Sequence, residues 1–280
     1  MINQARASTL KVAGASLYYE VRGNGPVLLV IPGGPQDAGV FVGLAEVLAD
    51  RYTVVTYDPR GNSRSHFDGD AAELDVDQQA DDAAAIIEAV GAGPAYVFGT
   101  SGGAQIGLNL AARHPEFVHA LVAHEPPSTM LLDNPEPYLQ SDRDLRETYR
   151  TEGIGAAMAA FFAMAGLEGD EPDDAHSDGE MAPEAAETAA RVGANFEYWL
   201  AHGMIPLSTY KPDVAALKAS TAPIAVAIGE ESAGQPIDEM SRALASGLEV
   251  APVIFPGDHF GFEKHTRAFA ERLHQVFAGG

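Results

Sequence analysis

The sequence has no cysteine in its 280 residues, and this absence removes several kinds of chemistry. It excludes a disulfide framework, a thiolate metal site and a cysteine nucleophile. Basic residues are also scarce, since 17 Lys and Arg stand against 40 Asp and Glu, for a formal net charge of −23. Because nucleic acid and anionic lipid surfaces would repel this charge, we expect neither as a partner.

Long hydrophobic runs are missing as well. No apolar stretch approaches the roughly 20 residues that cross a bilayer. Residues 1–25 contain no continuous apolar segment flanked by basic residues, so we expect no secretion signal and a cytoplasmic location. A hydrophobic content of 46% allows a chain of this length to bury a large core. One domain carrying an insertion is the organisation that we predict.

What the sequence does contain is a regular alternation of strand and helix patterns. Two short strands, at 9–12 and 16–22, predict a hairpin at a sheet edge. Apolar runs typical of buried strands then alternate with helical periods, and such alternation predicts a mostly parallel sheet with helices on both faces. The predicted strands are 26–31, 52–57, 96–98, 119–123, 223–229 and 249–255, and the main predicted helices are 41–50, 75–90, 102–113, 237–246 and 265–277.

The alternation stops between the sixth and seventh predicted strands. Residues 128–210 predict helices rich in Ala, Met and aromatic residues, interrupted by an acidic, loop-like run at 168–181. The chain therefore divides into a first core part at 1–127, an insertion at 128–210 and a second core part at 211–280.

One stretch, 96–108, indicates a nucleophilic serine. It begins as an apolar strand, ends with helical period, and places the pattern G-x-S-x-G between them, around Ser101. Glycines on both sides allow a sharp strand-to-helix turn that exposes the serine hydroxyl at a helix N-terminus. There, backbone N–H groups can face a developing negative charge. A Gly/Ser loop that merely joins two elements is the alternative.

The motifs taken together resemble the α/β-hydrolase superfamily over essentially the whole chain. The matching pieces, in order, are Gly33-Gly34, the loop Asp58-Pro59-Arg60-Gly61, the elbow from Gly99 to Gly103, and Gly257-Asp258-His259. The resemblance implies an α/β-hydrolase fold with an eight-stranded, mostly parallel sheet, and a serine-hydrolase mechanism. It also implies that the insertion at 128–210 is a helical cap, and that Asp58 and Arg60 tie loops together.

The resemblance implies a catalytic triad in which Ser101 is the nucleophile and His259 the base. The acid departs from the usual pattern, because Ser232 stands where many members carry an aspartate. A hydroxyl cannot balance an imidazolium charge. Some relatives, such as haloalkane dehalogenases, use a glutamate after the sixth strand, and Glu125 is at that place. The alternative acids are Glu231, Glu230 and Asp238.

The oxyanion hole needs two backbone N–H donors, and the resemblance assigns these to Gly34 and Gly102. Here the family's usual His-Gly opening is replaced by Pro32-Gly33, so a histidine that would brace the loop is missing. Because the donors are backbone N–H groups, we expect them to survive this change.

These features predict a carboxylic ester hydrolase acting through an acyl-enzyme on a small, largely apolar ester or lactone. Large apolar residues of the insertion are candidate substrate contacts, although about half of them could instead form the cap's own core; they are Met158, Phe161, Phe162, Trp199, Phe196 and Met204. We expect a small-molecule substrate, no metal and no cofactor, and a homodimer is compatible with the sequence.

Two other readings of the same residues stay open. The triad could cleave carbon–carbon bonds or run cofactor-free peroxide chemistry, because this superfamily uses one site for several reactions. The protein could also be a receptor-like binder with little turnover, and the missing seventh-strand aspartate favours that reading.

Overall fold

A single mixed sheet organises the protein. The computed structural model describes residues 5–91, 93–164 and 182–279, so the predicted acidic loop at 168–181 lies outside the described residues. Over the described residues the sheet has nine strands. They are β1 (Arg6–Val12), β2 (Ala15–Arg22), β3 (Val27–Ile31), β4 (Thr53–Tyr57), β5 (His66–Phe67), β6 (Ala95–Thr100), β7 (Val118–His124), β8 (Ile224–Gly229) and β9 (Val253–Phe255).

The strand order is β1-β2-β4-β3-β6-β7-β8-β9, with the two-residue β5 paired to β2. The pairs β1–β2 and β2–β4 are antiparallel, whereas every pair from β4 to β9 is parallel. The prediction of a mostly parallel eight-stranded sheet is thus confirmed, with β5 as an unpredicted addition. Because β5 comes early in the chain, the sixth and seventh predicted strands are β7 and β8.

Helices cover both faces of the sheet, as predicted. Successive residues of β3 point to opposite faces, so Leu29 and Ile31 join one core cluster while Leu28 and Val30 join the other. The first cluster includes residues of α2 (Val76–Val90) and α3 (Gly102–Arg113), and the second includes residues of α1 (Val42–Leu48) and α11 (Thr266–Ala278). The core helices are α1 (Val42–Leu48), α2 (Val76–Val90), α3 (Gly102–Arg113), α8 (Val214–Ala219), α9 (Pro236–Leu248), α10 (Gly261–Lys264) and α11 (Thr266–Ala278).

Among the described residues, four more helices precede α8 between β7 and β8 in the chain, and we call them the inserted helices. They are α4 (Glu136–Glu152), α5 (Ile154–Met164), α6 (Pro183–Tyr198) and α7 (Met204–Thr209). A π-helical turn, Trp199–Gly203, joins α6 to α7. Among the residues that the structure describes, no helix combines the length and the apolar character that crossing a membrane requires.

The last strand is shorter than the prediction of 249–255. Glu249 ends α9 in the left-handed region, with φ of 60°, and Pro252 has no N–H to donate to a neighbouring strand. Regular pairing therefore begins only at Val253.

The loop after β4 is held by buried charges, in agreement with the structural role expected for Asp58 and Arg60. Asp58 accepts hydrogen bonds from the backbone N–H of Ala38 and of Arg64, at 3.0 and 2.9 Å. Arg60 forms a two-pronged pair with Asp82 of α2, at 2.6 and 2.8 Å, and both side chains are almost fully buried.

We predict that Arg60→Met lowers the free energy of unfolding by about 3–5 kcal/mol, because it leaves the carboxylate of Asp82 buried without its partner. The double variant Arg60→Met/Asp82→Leu should recover most of this loss, since it removes both charges. Urea unfolding of both variants and the wild type measures the effect. A single variant that loses under roughly 1 kcal/mol would show that the pair is unimportant.

Candidate active site

The turn between β6 and α3 has the strained geometry that the G-x-S-x-G pattern predicts. Ser101 is a non-glycine residue with φ of 54° and ψ of −126°. A Cβ atom on Gly103 would lie 2.2 Å from the carbonyl oxygen of Ile31, so only glycine lets the helix start so close to β3. Ser101 is partly exposed, and it therefore stands at the surface of the site.

The pairing of β6 with β7 places Glu125 beside this turn. Thr100 and His124 are paired at the ends of the two parallel strands, so Ser101 and Glu125 are the next residues on neighbouring strands. The backbone N–H of Ser101 donates to the carbonyl oxygen of His124 at 2.9 Å. The two residues thus share the carboxyl edge of the sheet, where open α/β sheets hold their sites.

Glu125 contacts His259, which comes from the loop after β9. The Nδ1 atom of His259 lies 2.6 Å from Oε2 of Glu125, and the backbone N–H of Gly229 donates to Oε1 at 2.8 Å. Glu125 has no solvent exposure, whereas the His259 side chain is 20% exposed. Among the described residues, no hydrogen bond joins His259 to the Ser101 hydroxyl.

The surroundings of Glu125 favour its charged form. Burial raises the pKa of this carboxyl, but the hydrogen bond and charge of His259 outweigh that effect, and the pKa falls to about 2. Ser232, at the position of the expected aspartate, is also fully buried. The Ser232 hydroxyl contributes a smaller lowering of the Glu125 pKa. Its oxygen has no hydrogen-bond partner among the described residues.

The alternative acids face other partners. Glu231 has Oε1 3.8 Å from Nε2 of His265, and its side chain is 58% exposed. Asp238 pairs with Arg242 at 2.7 Å. Glu230 is exposed at the start of the same turn as Glu231. Of the four carboxylates considered from the sequence, the structure brings Glu125 to His259.

His124 is a residue of this site that the sequence reasoning missed. It is fully buried, its Nδ1 lies 3.0 Å from Oγ1 of Thr100, and its ring stacks on that of His259 with centroids 6.3 Å apart. Its Nε2 has no partner among the described residues. Burial lowers the pKa of His124 to about 4, so the ring is neutral at pH 7. A histidine ending an otherwise apolar strand was the available signal.

The two glycines expected to form an oxyanion hole are neighbours. A Cβ atom on Gly102 would lie 3.4 Å from the backbone nitrogen of Gly34. Both glycines line a cavity together with Trp199, Leu207, Ile106 and Leu74. The lining also includes the polar side chains of Arg60, Asn62, Gln79 and Tyr198.

The other predicted substrate contacts form an aromatic cluster with Trp199. Phe161 lies 4.8 Å from Trp199 between ring centroids, and Phe162 lies 5.7 Å from Phe161. Phe161, Phe162 and Met158 are partly buried and pack against the core, whereas Trp199 alone of the four lines the cavity. Within the described part of the chain, no group of three or more His, Asp or Glu side chains is arranged to hold a metal ion.

Comparison with known proteins assigns the family. The family model described as the alpha/beta hydrolase fold matches residues 26–181. The uncharacterized hydrolase YraK of Bacillus subtilis strain 168 is 36% identical over 274 residues, which cover 96% of this chain and 94% of that protein. The chain belongs to the α/β-hydrolase fold family. Family membership and the names of its relatives support hydrolase activity.

Two further proteins extend the comparison for this α/β hydrolase. Zearalenone hydrolase of Bionectria ochroleuca is 27% identical over 265 residues, which cover 92% of each chain. The solved structure of the enol-lactonase from Burkholderia xenovorans LB400 matches with a TM-score of 0.74 and 18% identity, covering 98% of this chain and 100% of that one. At that identity the second likeness concerns the fold alone.

The burial of His124 predicts a pH-dependent stability. Because the folded state holds the ring neutral while the unfolded chain takes up a proton near pH 6.5, stability falls as the pH drops from 6.5 towards 4. Between pH 7 and pH 5 we expect a loss of about 2 kcal/mol from this residue. The variant His124→Gln should lack this component.

Urea unfolding at the two pH values measures the difference. His66→Gln, at an exposed position, is the matched control and should keep the slope of the wild type. If His124→Gln shows the same loss as the wild type, then the ring is not buried in its neutral form.

Proposed function

We propose that this α/β hydrolase is a serine hydrolase that cleaves a small, largely apolar carboxylic ester or lactone through an acyl-enzyme. The observation that carries the proposal is the buried contact between Glu125 and His259, at the strand edge where Ser101 also lies. A histidine whose Nδ1 donates to a carboxylate presents its Nε2 lone pair as a base.

In the proposed mechanism, Ser101 Oγ attacks the carbonyl carbon of the substrate while its proton passes to Nε2 of His259. Glu125 stabilises the imidazolium that forms, since its pKa of about 2 keeps it charged. The N–H groups of Gly34 and Gly102 stabilise the oxyanion. Collapse of the tetrahedral intermediate expels the alcohol, which takes the proton from His259.

Water then attacks the acyl-enzyme with His259 as base, and the carboxylic acid leaves with Ser101 restored. Within the part of the chain that the structure describes, no hydrogen bond joins Ser101 to His259, and catalytic hydrogen bonds of this kind commonly tighten only when substrate binds. We assign the completion of this contact to the bound substrate.

The proposed substrate class rests on the lining of the site. We propose that residues 128–210 act as a cap, and that Trp199 contacts the substrate beside Gly34, with Phe161, Phe162 and Met158 behind it. Such aromatic and aliphatic surfaces favour apolar acyl or alcohol groups. The name of one relative, zearalenone hydrolase, is in keeping with a hydrolase that acts on a small molecule.

Carbon–carbon cleavage, cofactor-free peroxide chemistry and a receptor-like role remain alternatives for this protein. The argument for the receptor-like role was the missing aspartate. Glu125 weakens that argument because a buried, ionised carboxylate already faces His259.

We predict that a fluorophosphonate probe labels the wild type covalently and that Ser101→Ala abolishes both labelling and ester turnover. The physical reason is that only a serine with a general base nearby attacks phosphorus at neutral pH. Ser246→Ala, on an exposed face of α9, is the matched control and should label like the wild type. A folded wild type that stays unlabelled would remove the activated serine and favour the receptor-like role.

We also predict that Glu125→Gln lowers kcat on a p-nitrophenyl ester by about 10³- to 10⁴-fold, because the amide stabilises the wrong tautomer of His259 and cannot balance its charge. Glu231→Gln is the matched control, and it should stay within about twofold of the wild type because its side chain is largely exposed. The reverse pattern would assign the acid to Glu231.

A further inference from the structure

The loop after β3 has lost the histidine that usually braces it, and the structure shows what holds it instead. We call residues 32–37 the oxyanion loop. The backbone N–H of Gln36 donates to the carbonyl oxygen of Gly33 at 2.9 Å, and the N–H of Gly33 donates to Oε1 of Gln36 at 3.0 Å. Both contacts lie within the loop itself.

These contacts set the direction of the proposed oxyanion donor. The carbonyl of Gly33 and the N–H of Gly34 belong to one planar trans peptide, so they point in opposite directions. With the Gly33 oxygen bound by Gln36, the N–H of Gly34 is aimed away from the turn. Its nitrogen lies 3.4 Å from the position of a Cβ on Gly102.

Asn62 holds the loop from the side of β4. Its Nδ2 donates to the carbonyl oxygens of Gly34 and Gln36, both at 3.1 Å, and the residue is only 3% exposed. Gly34 has φ of 48°, a left-handed conformation that directs its carbonyl to this amide. A single buried side chain therefore determines the backbone on both sides of Pro35.

Asn195 holds the loop from the inserted helix α6. Its Nδ2 donates to the carbonyl oxygen of Pro35 at 2.8 Å and to Oγ of Ser63 at 2.8 Å. Its Oδ1 accepts from the backbone N–H of Ser63 at 2.7 Å. The amide is thus bonded on both its nitrogen and its oxygen, and the residue is 5% exposed.

A charged pair one helical turn away strengthens the same junction. Nε of Arg191 donates to Oδ2 of Asp37 at 2.7 Å, and the carboxylate of Asp37 is fully buried. One turn in the other direction, Trp199 covers Gly34, because a Cβ on Gly34 would lie 3.5 Å from Nε1 of Trp199. Side chains on three successive turns, from α6 into the π-helical turn that follows it, therefore contact the oxyanion loop.

We propose that Asn62 and Asn195 are positioning residues for the oxyanion hole, in place of the missing histidine, and that Asn195 couples the placement of α6 to the aim of the Gly34 N–H. The inference rests on the proposed function, since an oxyanion forms only if Ser101 attacks a carbonyl. Substrate that shifts α6 would alter transition-state stabilisation as well as binding.

The test uses Asn195→Leu, which has similar size but no donor, and the milder Asn195→Gln, which displaces the amide by one methylene. We expect kcat on a p-nitrophenyl ester to fall by about 10- to 100-fold in Asn195→Leu, with KM within about threefold, because the Gly34 N–H serves the transition state more than the ground state. Asn62→Leu should give the same pattern.

A second readout separates positioning from a general loss of structure. An aryl trifluoromethyl ketone adds to serine as a tetrahedral oxyanion, so its inhibition constant should rise in proportion to the loss in kcat. Arg150→Ala, at an exposed ion pair on inserted helix α4, is the matched control and should change neither value. Circular dichroism at the assay temperature checks that each variant is folded. If Asn195→Leu does not fold, the same two measurements are made on Asn195→Gln.

Several results would overturn the inference. They are unchanged kcat in the folded Asn195 and Asn62 variants, a rise in KM alone, or an inhibition constant that does not follow kcat. In each of these cases the wild type still labels with fluorophosphonate and turns over ester, so the proposed function stands. A wild type that neither labels nor turns over would overturn both.

Discussion

The buried negative charge of Glu125 is the constraint on which the site depends. A carboxylate without solvent contact costs several kcal/mol unless charge and hydrogen bonds offset it. Here His259 and the backbone N–H of Gly229 provide both, and they come from segments that follow β9 and end β8. The loops after three parallel strands must therefore meet at one point for the folded state to be stable. The same meeting point orients the histidine.

The other half of the site depends on backbone geometry. In the proposed mechanism Ser101 contributes through its strained turn and the two glycines through their N–H groups, and buried polar side chains hold the oxyanion loop. Asn62 comes from the loop after β4, and Asn195 comes from an inserted helix more than a hundred residues later in the chain. The proposed acid and base thus follow strands in the second half of the sheet, whereas the oxyanion loop is held between the first half and the inserted helix α6.

The family resemblance predicted much of this arrangement, because its motifs are local. The G-x-S-x-G elbow, the apolar strand before Glu125 and the Gly-Asp-His loop each lie within a few residues, and each appeared where expected relative to the sheet. His124, Asn62 and Asn195 were not predicted. Their importance comes from partners such as Thr100, Gly34 and Pro35, and no pattern along the chain indicates a contact across 160 residues.

The edge strands also show that local sequence patterns predict less where partners distant in the chain decide the structure. The two-residue β5 exists only because β2 offers it a partner, so no hydrophobic pattern marks it. The start of β9 was misjudged because pairing, and not local β propensity, decides where an edge strand begins.

By itself the sequence determined the alternation of strands and helices, the exposed serine and the set of possible acids, since these follow from residue types a few positions apart. Only the tertiary structure decided which acid meets the histidine. Glu125, Glu230, Glu231 and Asp238 all lie near the carboxyl edge of the sheet. The strand order and the direction of each side chain place Glu125 alone at 2.6 Å from His259.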